Sequence, residues 1–346
     1  MISRILLFVF LPLAAFAETT IEPVAGQSDL AVEWDGASDL SAITWIRDDR
    51  FFVVSNRVKG LFPLRLTVDP ETGRLSDADF GGKISVTTEE SDFEGLIYMP
   101  SKDRFFVSTE ARSRIVGFDL SGGATFKVEV PPIFRETRQN KSLESLAWDE
   151  QRGEMWTSNE DALKCDGDES GREKGALVRL QKFNSKLKPA AQFAYRTEPS
   201  LFRISHQGTG VTDMAVSPDG EILVLERVVT VGLCVRIFRV DFNGATDISK
   251  TESLKDTKDV VPVKKHLLFE KLTGALNYEG MALGPRLADG SYSVILVADN
   301  GGGTTHHFMP LRLRLDAPEK ETKSQSGDDK KPKDDAKPNP AKRKAN

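Results

Sequence analysis

Acidic residues recur at equivalent places in five segments of the chain, and together they could bind a hard cation. Each segment begins with an Asp or Glu beside an apolar run, and these five acids are Asp39, Glu94, Glu144, Asp213 and Glu279. Several carboxylates held near one another cannot all stay ionised without a counter-charge. Ca²⁺ accepts an irregular set of oxygen ligands, so the five acids predict a calcium site. The alternative is that each acid satisfies backbone groups at a strand end or turn.

A second set of charged residues follows the second apolar run of these segments. Glu110 and Glu226 are the candidates for acid–base chemistry. Arg112 follows Glu110 by two residues and Arg227 follows Glu226 directly, and a guanidinium group can bind a phosphate or carboxylate through two hydrogen bonds. A metal ion combined with arginine suits hydrolysis of phosphate or carboxylic esters. The alternative is that each arginine forms a structural ion pair with a neighbouring acid.

Each segment reads as a short apolar strand, a polar turn and a second apolar strand, which is typical of a β-hairpin. The five acids of the first set lie 55, 50, 69 and 66 residues apart, which leaves room for one or two more strands per unit. The sequence therefore predicts an all-β chain folded as a single β-propeller of five or six blades. A sixth, degenerate blade could lie within the longer spacings or be completed from the N-terminal segment around residues 30–34. Two packed β-sandwiches are the alternative fold.

The hairpins would also bring the two sets of charged residues together. The start of the first strand and the end of the second lie at the same edge of an antiparallel pair. If the first strands line the propeller axis, the acids and the arginines converge on one mouth of the central channel.

Composition divides the chain into three parts. Residues 1–17 carry Arg4, an apolar run and Ala15-Phe16-Ala17, a pattern typical of a cleaved signal peptide with a mature start at Glu18. Residues 18–316 form the predicted propeller domain. Residues 317–346 contain no Val, Ile, Leu, Met or aromatic residue and are predicted to be a disordered tail. We expect a periplasmic or secreted protein without a transmembrane segment.

Charge restricts the partners. The net charge is -5, and the two terminal segments carry +1 and +3, which leaves -9 on residues 18–316. An acidic body argues against nucleic-acid binding. The arginines and the cation of the predicted site indicate a small anionic substrate or ligand instead. The basic end of the tail, Lys342–Lys344, could contact anionic envelope polymers weakly, although a solvated tail is the simpler interpretation.

Cysteines and histidines add few possibilities. Cys165 and Cys234 could form a disulfide in an oxidising compartment, and two free thiols are the alternative. His306 and His307 are adjacent, so on a strand they would face opposite sides and only one could join a site. The chain has no Gly-x-Ser-x-Gly, His-Glu-x-x-His or phosphate-binding P-loop motif, which argues against the enzyme classes built on them.

Several sequence blocks resemble those of the phytase-like propeller family, which is described by the phrase "esterase-like activity of phytase". The similar blocks are Asp92–Leu96, Ser142–Ala147, Val211–Ala215, Pro218–Gly220, Leu225–Arg227, Asn277–Met281 and Ala298–Asn300. The resemblance extends over roughly residues 28–315 and implies a secreted bacterial β-propeller with an acidic channel mouth. Two functions stay open: a calcium-dependent ester hydrolase, with lactones as a variant substrate, and a non-catalytic propeller that binds a ligand or partner around a structural cation.

Overall fold

The computed structural model describes residues 19–200 and 208–315, and the structural statements below refer to them. The predicted signal peptide and the predicted tail lie outside the described residues. Within the described part, no helix is long and apolar enough to cross a bilayer.

Almost all regular structure in the described residues is β-strand. Two strands precede the first blade: β1 (Thr20–Pro23) and β2 (Leu30–Glu33). The first blade contains β3 (Leu40–Arg47), β4 (Arg50–Ser55), β5 (Phe62–Val68) and β6 (Leu75–Phe80). The second contains β7 (Phe93–Met99), β8 (Arg104–Thr109), β9 (Arg114–Phe118) and β10 (Ala124–Val128). Short 3-10 helices occupy Pro100–Lys102 and Pro132–Arg135.

The remaining three blades follow the same order. The third contains β11 (Ala147–Asp149), β12 (Glu154–Ser158), β13 (Leu177–Phe183) and β14 (Pro189–Arg196). The fourth contains β15 (Gly210–Val216), β16 (Ile222–Val229), β17 (Leu233–Asp241) and β18 (Lys264–Gly274). The fifth contains β19 (Asn277–Arg286), β20 (Tyr292–Asp299) and β21 (Thr305–Arg314). Every blade is an antiparallel sheet whose strands pair in chain order.

The N-terminal strands complete the fifth blade. β1 pairs with β21 in the register Ile21↔Leu313, and β2 pairs with the same strand in the register Leu30↔Phe308. The propeller therefore has five blades, and the segment that we expected to contribute to a sixth blade extends the fifth. The two-sandwich alternative is wrong.

The first strand of every blade lies on the axis, as the hairpin pattern predicts. β3, β7, β11, β15 and β19 contact one another in sequence, and β19 contacts β3 to close the ring. All five axial hairpins turn through a residue with left-handed backbone geometry: Asp48, Asp103, Gly153, Gly220 and Gly290. Gly, Asn and Asp adopt this conformation most readily, which explains the Asp- and Gly-containing turns of the repeat.

Apolar side chains pack between neighbouring blades rather than in one central core. Phe51 and Val53 of the first blade, for example, pack with Ile295 and Phe308 of the fifth. Alternate residues of each strand face opposite sides of the sheet, so a blade with neighbours on both sides buries both faces. This packing fixes the blades around the axis and so fixes the residues at its mouth.

The two cysteines do not form the disulfide that the sequence left possible. Both are free thiols. Cys234 is buried in the fourth blade, where it lies opposite Val228 and Leu272 on the flanking strands. Cys165 lies in the loop that follows β12 of the third blade. Cys165 and Cys234 belong to different blades, and the pairing of Cys234 with both flanking strands fixes its position in the fourth blade.

Ring closure through β1 predicts a large loss of stability when its buried side chain is shortened. Ile21 is 5% exposed and packs in the core between the fourth and fifth blades. We expect Ile21→Ala to lower the free energy of unfolding by about 2 to 5 kcal/mol in urea titrations. Glu22→Ala on the same strand is the matched control, because the ion pair of Glu22 with Arg314 is exposed to solvent. Equal effects of the two variants would contradict the closure by β1.

Candidate functional site

Five glutamates meet at one mouth of the channel and are called the acidic cluster here: Glu94, Glu110, Glu144, Glu160 and Glu279. Glu110, Glu144 and Glu160 form its centre, because one carboxylate oxygen from each lies within 4.8 Å of those of the other two. The second and third blades supply these three residues. Glu94 and Glu279 add negative charge from the second and fifth blades.

Hairpin pairing brings these residues to one edge. The Glu144 N–H donates to the Ser158 carbonyl at 3.2 Å, and the Glu160 N–H donates to the Ser142 carbonyl at 3.0 Å. The Ser142 N–H donates to Glu110 Oε1 at 3.3 Å and so links the second blade to the third. The start of the first strand and the end of the second therefore meet at the mouth, as the sequence predicts.

Of the five acids predicted as metal ligands, Glu94, Glu144 and Glu279 lie in the acidic cluster, and their position along the channel axis explains why. Leu96, Leu146 and Met281 line the apolar part of the channel, and a glutamate stands two residues before each of them. These three glutamates therefore hold equivalent positions in their blades and form one layer, within which their charges interact. The apolar part of the channel has a volume of about 140 Å³ and receives residues from all five axial strands.

Asp213 stands one residue before its channel-lining neighbour Met214 and is out of phase with that layer. Its oxygens accept the N–H groups of Met214 at 2.8 Å and Met281 at 2.7 Å, and the Leu146 N–H donates to it as well. Burial raises the pKa of Asp213 well above its usual range, although the three amides act in the opposite direction. Asp213 therefore links the backbones of the third, fourth and fifth blades, and it lies outside the acidic cluster.

Asp39 also lies outside the acidic cluster, at the contact between the first and fifth blades. Its Oδ2 accepts from Arg57 Nε at 2.9 Å, and its Oδ1 accepts from the Gly302 N–H. Its backbone N–H donates to Asn300 Oδ1 at 2.9 Å. The neighbouring Asp299 has a pKa raised to about 6, because it is buried and adjoins Asp39.

Arg227 is the cation within the acidic cluster. Its Nη1 donates to Glu279 Oε1 at 2.7 Å, and its Nη2 pairs with Glu160. The residue is 5% exposed, and its Nε has no partner among the described residues. Arg227 and Glu279 thus lie together, as the hairpin pattern predicts. The positive charge of Arg227 is already paired with the carboxylates of Glu279 and Glu160.

Lys141 is a second buried cation near the cluster. Its Nζ lies 3.0 Å from Asp161 Oδ2, 3.8 Å from Glu160 and 3.9 Å from Glu169. Most of its charge therefore offsets Asp161. Arg227 contributes one positive charge to the cluster, and Lys141 contributes only part of another. The five glutamates, when ionised, would therefore carry an excess of negative charge.

That excess raises the pKa values of the cluster. Burial, together with the neighbouring carboxylates, raises the pKa of Glu94 and of Glu144 well above the usual range. The pKa of Glu110 is raised to about 6 by burial and the charge of Glu160. Burial raises the pKa of Glu279 to about 8 even though Arg227 opposes the shift. At neutral pH Glu279 therefore favours its protonated form unless it shares a cation, and the pKa values of Glu94 and Glu144 are shifted in the same direction.

The four predicted catalytic residues separate into two pairs. Glu110 and Arg227 lie in the acidic cluster. Glu226 is fully buried between the third and fourth blades, where it accepts from Tyr195 Oη at 2.5 Å and from Lys265 Nζ at 2.7 Å. Arg112 has a side chain that is 58% exposed and lies 4.0 Å from Glu90. Within residues 19–200 and 208–315, neither Glu226 nor Arg112 forms a hydrogen bond or ion pair with the cluster.

Two buried members of the site were not among the predicted residues. Glu160 occupies in the third hairpin the place that Glu110 occupies in the second, so the repeat itself contained that signal. Lys141 lies before its hairpin and outside the repeat, and no sequence pattern pointed to it.

The fold and the site define the class of protein: a five-bladed β-propeller with a carboxylate-lined mouth on its axis. Residues 33–302 match the family described as phytase-like, "Esterase-like activity of phytase". The chain belongs to that family. No curated protein matches the chain.

Three solved structures are similar to the chain at low identity. They are a streptogramin B lyase structure (13% identity, TM-score 0.39, 83% of this chain and 98% of that one), a gluconolactonase from Xanthomonas campestris (12%, 0.37, 86% and 96%), and a luciferin-regenerating enzyme (13%, 0.33, 86% and 95%). Similarity at this level does not bear on substrate or on the roles of residues.

The raised pKa of Glu279 predicts how stability depends on pH in the metal-free protein. In the folded state Glu279 keeps its proton up to a pKa of about 8, whereas the unfolded chain releases it near 4.5. The folded state binds more protons in this window, so stability falls as the pH rises from about 5 to about 8. Melting temperatures in chelator should decrease over this range, and Glu279→Gln should flatten the decrease. The exposed substitution Glu71→Gln should keep the wild-type slope; a flat or rising wild-type curve would contradict the prediction.

Proposed function

We propose that this chain is a calcium-dependent hydrolase of phosphate or carboxylic esters that acts at the acidic mouth of its channel. One observation carries the proposal: the oxygens of Glu110, Glu144 and Glu160 lie within 4.8 Å of one another and lack enough positive charge to balance them. A divalent cation at that point would let the three carboxylates ionise together.

The donor set fits Ca²⁺. Two oxygens bound to one Ca²⁺ at 2.3–2.6 Å are at most about 5 Å apart, which agrees with the spacing of the three glutamates. Each glutamate comes from a strand end or loop at the mouth, and such an irregular arrangement suits Ca²⁺ better than the octahedral preference of Mg²⁺. Glu94 and Glu279 would lower the potential at the same point without having to bind the ion.

In an ester hydrolase the cation would supply Lewis-acid polarisation of the carbonyl or phosphoryl oxygen. In the cation-free cluster the pKa of Glu110 is raised to about 6, and a bound cation would hold this carboxylate ionised, so we assign Glu110 to cation binding together with Glu144 and Glu160. Arg227 would hold Glu160 and Glu279 in place, because both of its terminal nitrogens already donate to them. Since that charge is used, carboxylic esters fit the site better than phosphate esters.

A non-catalytic propeller with a structural cation is the second candidate. The positions of Glu226 and Arg112 favour it, because half of the residues expected to do chemistry lie outside the cluster. In that case the mouth would bind an organic ligand or a partner without transforming it. We also propose that the chain acts in the periplasm or outside the cell, on the basis of the signal-peptide pattern in residues 1–17.

The cation can be tested directly on residues 18–346. We expect one calcium ion per chain by atomic spectroscopy, and a melting temperature that falls by several degrees after chelation because a bound ligand stabilises only the folded state. The double variant Glu144→Gln/Glu279→Gln should lose both the ion and the response to chelator. The exposed pair Glu71→Gln/Glu252→Gln has the same change in charge and should behave as wild type. Calcium binding by the first double variant at wild-type affinity would remove this assignment.

Hydrolysis separates the two candidates. With calcium bound, we expect the wild type to hydrolyse carboxylic esters with a higher kcat/KM than phosphate monoesters, and chelation should abolish both activities. A wild type that binds calcium but hydrolyses neither esters nor lactones would favour the non-catalytic propeller.

A further inference from the structure

A cleft between the fourth and fifth blades opens beside the acidic cluster. It has a volume of about 440 Å³. Leu233, Ala275 and Leu276 contribute apolar surface. Its polar lining residues are Asn277, Asp299, Asn300, Thr305 and His307. The cleft is large enough for a small organic molecule and contains a histidine that the acidic cluster does not use.

Asp29 holds the His307 ring. His307 Nδ1 lies 2.7 Å from Asp29 Oδ2, and the two side chains are 22% and 27% exposed. Burial raises the pKa of Asp29, but hydrogen bonds from His307 and Ser28 bring it below its usual value, so Asp29 is an ionised acceptor. A carboxylate at Nδ1 fixes the proton on that nitrogen and leaves the lone pair of Nε2 available to accept another.

The cleft is connected to the acidic cluster through Asn277. Asn277 Nδ2 donates to Glu279 Oε1 at 2.7 Å, and the same residue lines the cleft. Its Oδ1 is buried and has no hydrogen-bond partner among the described residues. Asp299 also lines the cleft and interacts electrostatically with Glu279. A molecule in the cleft would therefore lie between His307 and the cluster.

The other described histidines are placed differently. His306 is buried on the opposite face of β21, where its Nε2 lies 3.1 Å from the Trp34 carbonyl oxygen. His266 is exposed on β18, opposite Arg239. Of these three residues, His307 alone combines a carboxylate partner with a position in the cleft.

We propose that His307, held by Asp29, is the general base of ester hydrolysis in this cleft. The proposal rests on the proposed hydrolase function. His307 Nε2 removes a proton from a water molecule as the water oxygen bonds to the acyl carbon. The ester C–O bond then breaks, and the leaving alkoxide takes the proton from the imidazolium, which gives one acid and one alcohol.

The charged groups around His307 belong to several elements. Asp29 and Glu33 place negative charge near it, and His306 is its neighbour on β21. Lys271 of β18 acts on Asp29 from the fourth blade. Because a base must be unprotonated to act, kcat/KM should rise with pH through one acidic limb that depends on His307.

The test compares His307→Gln, Asp29→Asn and the exposed control His266→Gln in the calcium-bound protein. The substrates are an ethyl ester and the 4-nitrophenyl ester of the same short-chain acid. We expect His307→Gln to lower kcat/KM for the ethyl ester by about 100-fold or more and to remove the acidic limb, whereas the effect on the 4-nitrophenyl ester is smaller because its leaving group needs no proton. Asp29→Asn should lower kcat by about 10-fold as a positioning residue, and calcium affinity should stay the same in all three variants.

Each outcome distinguishes the two proposals. An active wild type whose His307→Gln variant keeps its activity and its pH profile would overturn the role of His307 and leave the hydrolase function intact. Loss of calcium binding in both His307→Gln and Asp29→Asn would mean a structural role and would also overturn it. A calcium-bound wild type that hydrolyses neither ester would overturn the hydrolase function and this inference together.

Discussion

Like charges held close together are the constraint on which this structure depends. Glu110, Glu144 and Glu160 meet at the propeller axis because hairpin register leaves the start of one strand beside the end of the next. Burying them costs free energy that Arg227 and Lys141 offset only in part. Protons or a bound cation would offset the remaining repulsion, so the stability of this fold should depend on the pH and on the cations in the medium.

Much of this arrangement follows from the sequence repeat, and the limits have physical causes. The recurring acid and the hairpin pattern predicted the axial strands and the convergence of Glu94, Glu144 and Glu279. Asp213 looked equivalent, yet it lies one residue out of phase, and a shift of one residue turns a strand side chain to the other face. The sequence shows which acids lie near the start of a strand. How deep each acid lies along the channel axis depends on how all five axial strands align, and the sequence does not show that alignment.

The same alternation separates Glu226 from Arg227. These neighbours on β16 face opposite sides, so Arg227 reaches the axis while Glu226 is enclosed between two blades with Tyr195 and Lys265. Lys141 shows a different limit, because it lies before its hairpin and outside the repeat, and its contact with Asp161 joins two residues twenty positions apart. Likewise, the pairing of Asp29 with His307 joins residues almost three hundred positions apart in the chain.

Because β1 pairs with β21, the fifth blade can be completed only late in folding. Among the described strands the partner of the first is the last, so β1 stays unpaired until β21 has been synthesised. Contacts of such long sequence separation form slowly, since their loop-closure entropy must be overcome first. Nascent chains of this protein must therefore remain incomplete propellers with an open sheet edge, the state in which edge-to-edge association between chains is most favourable.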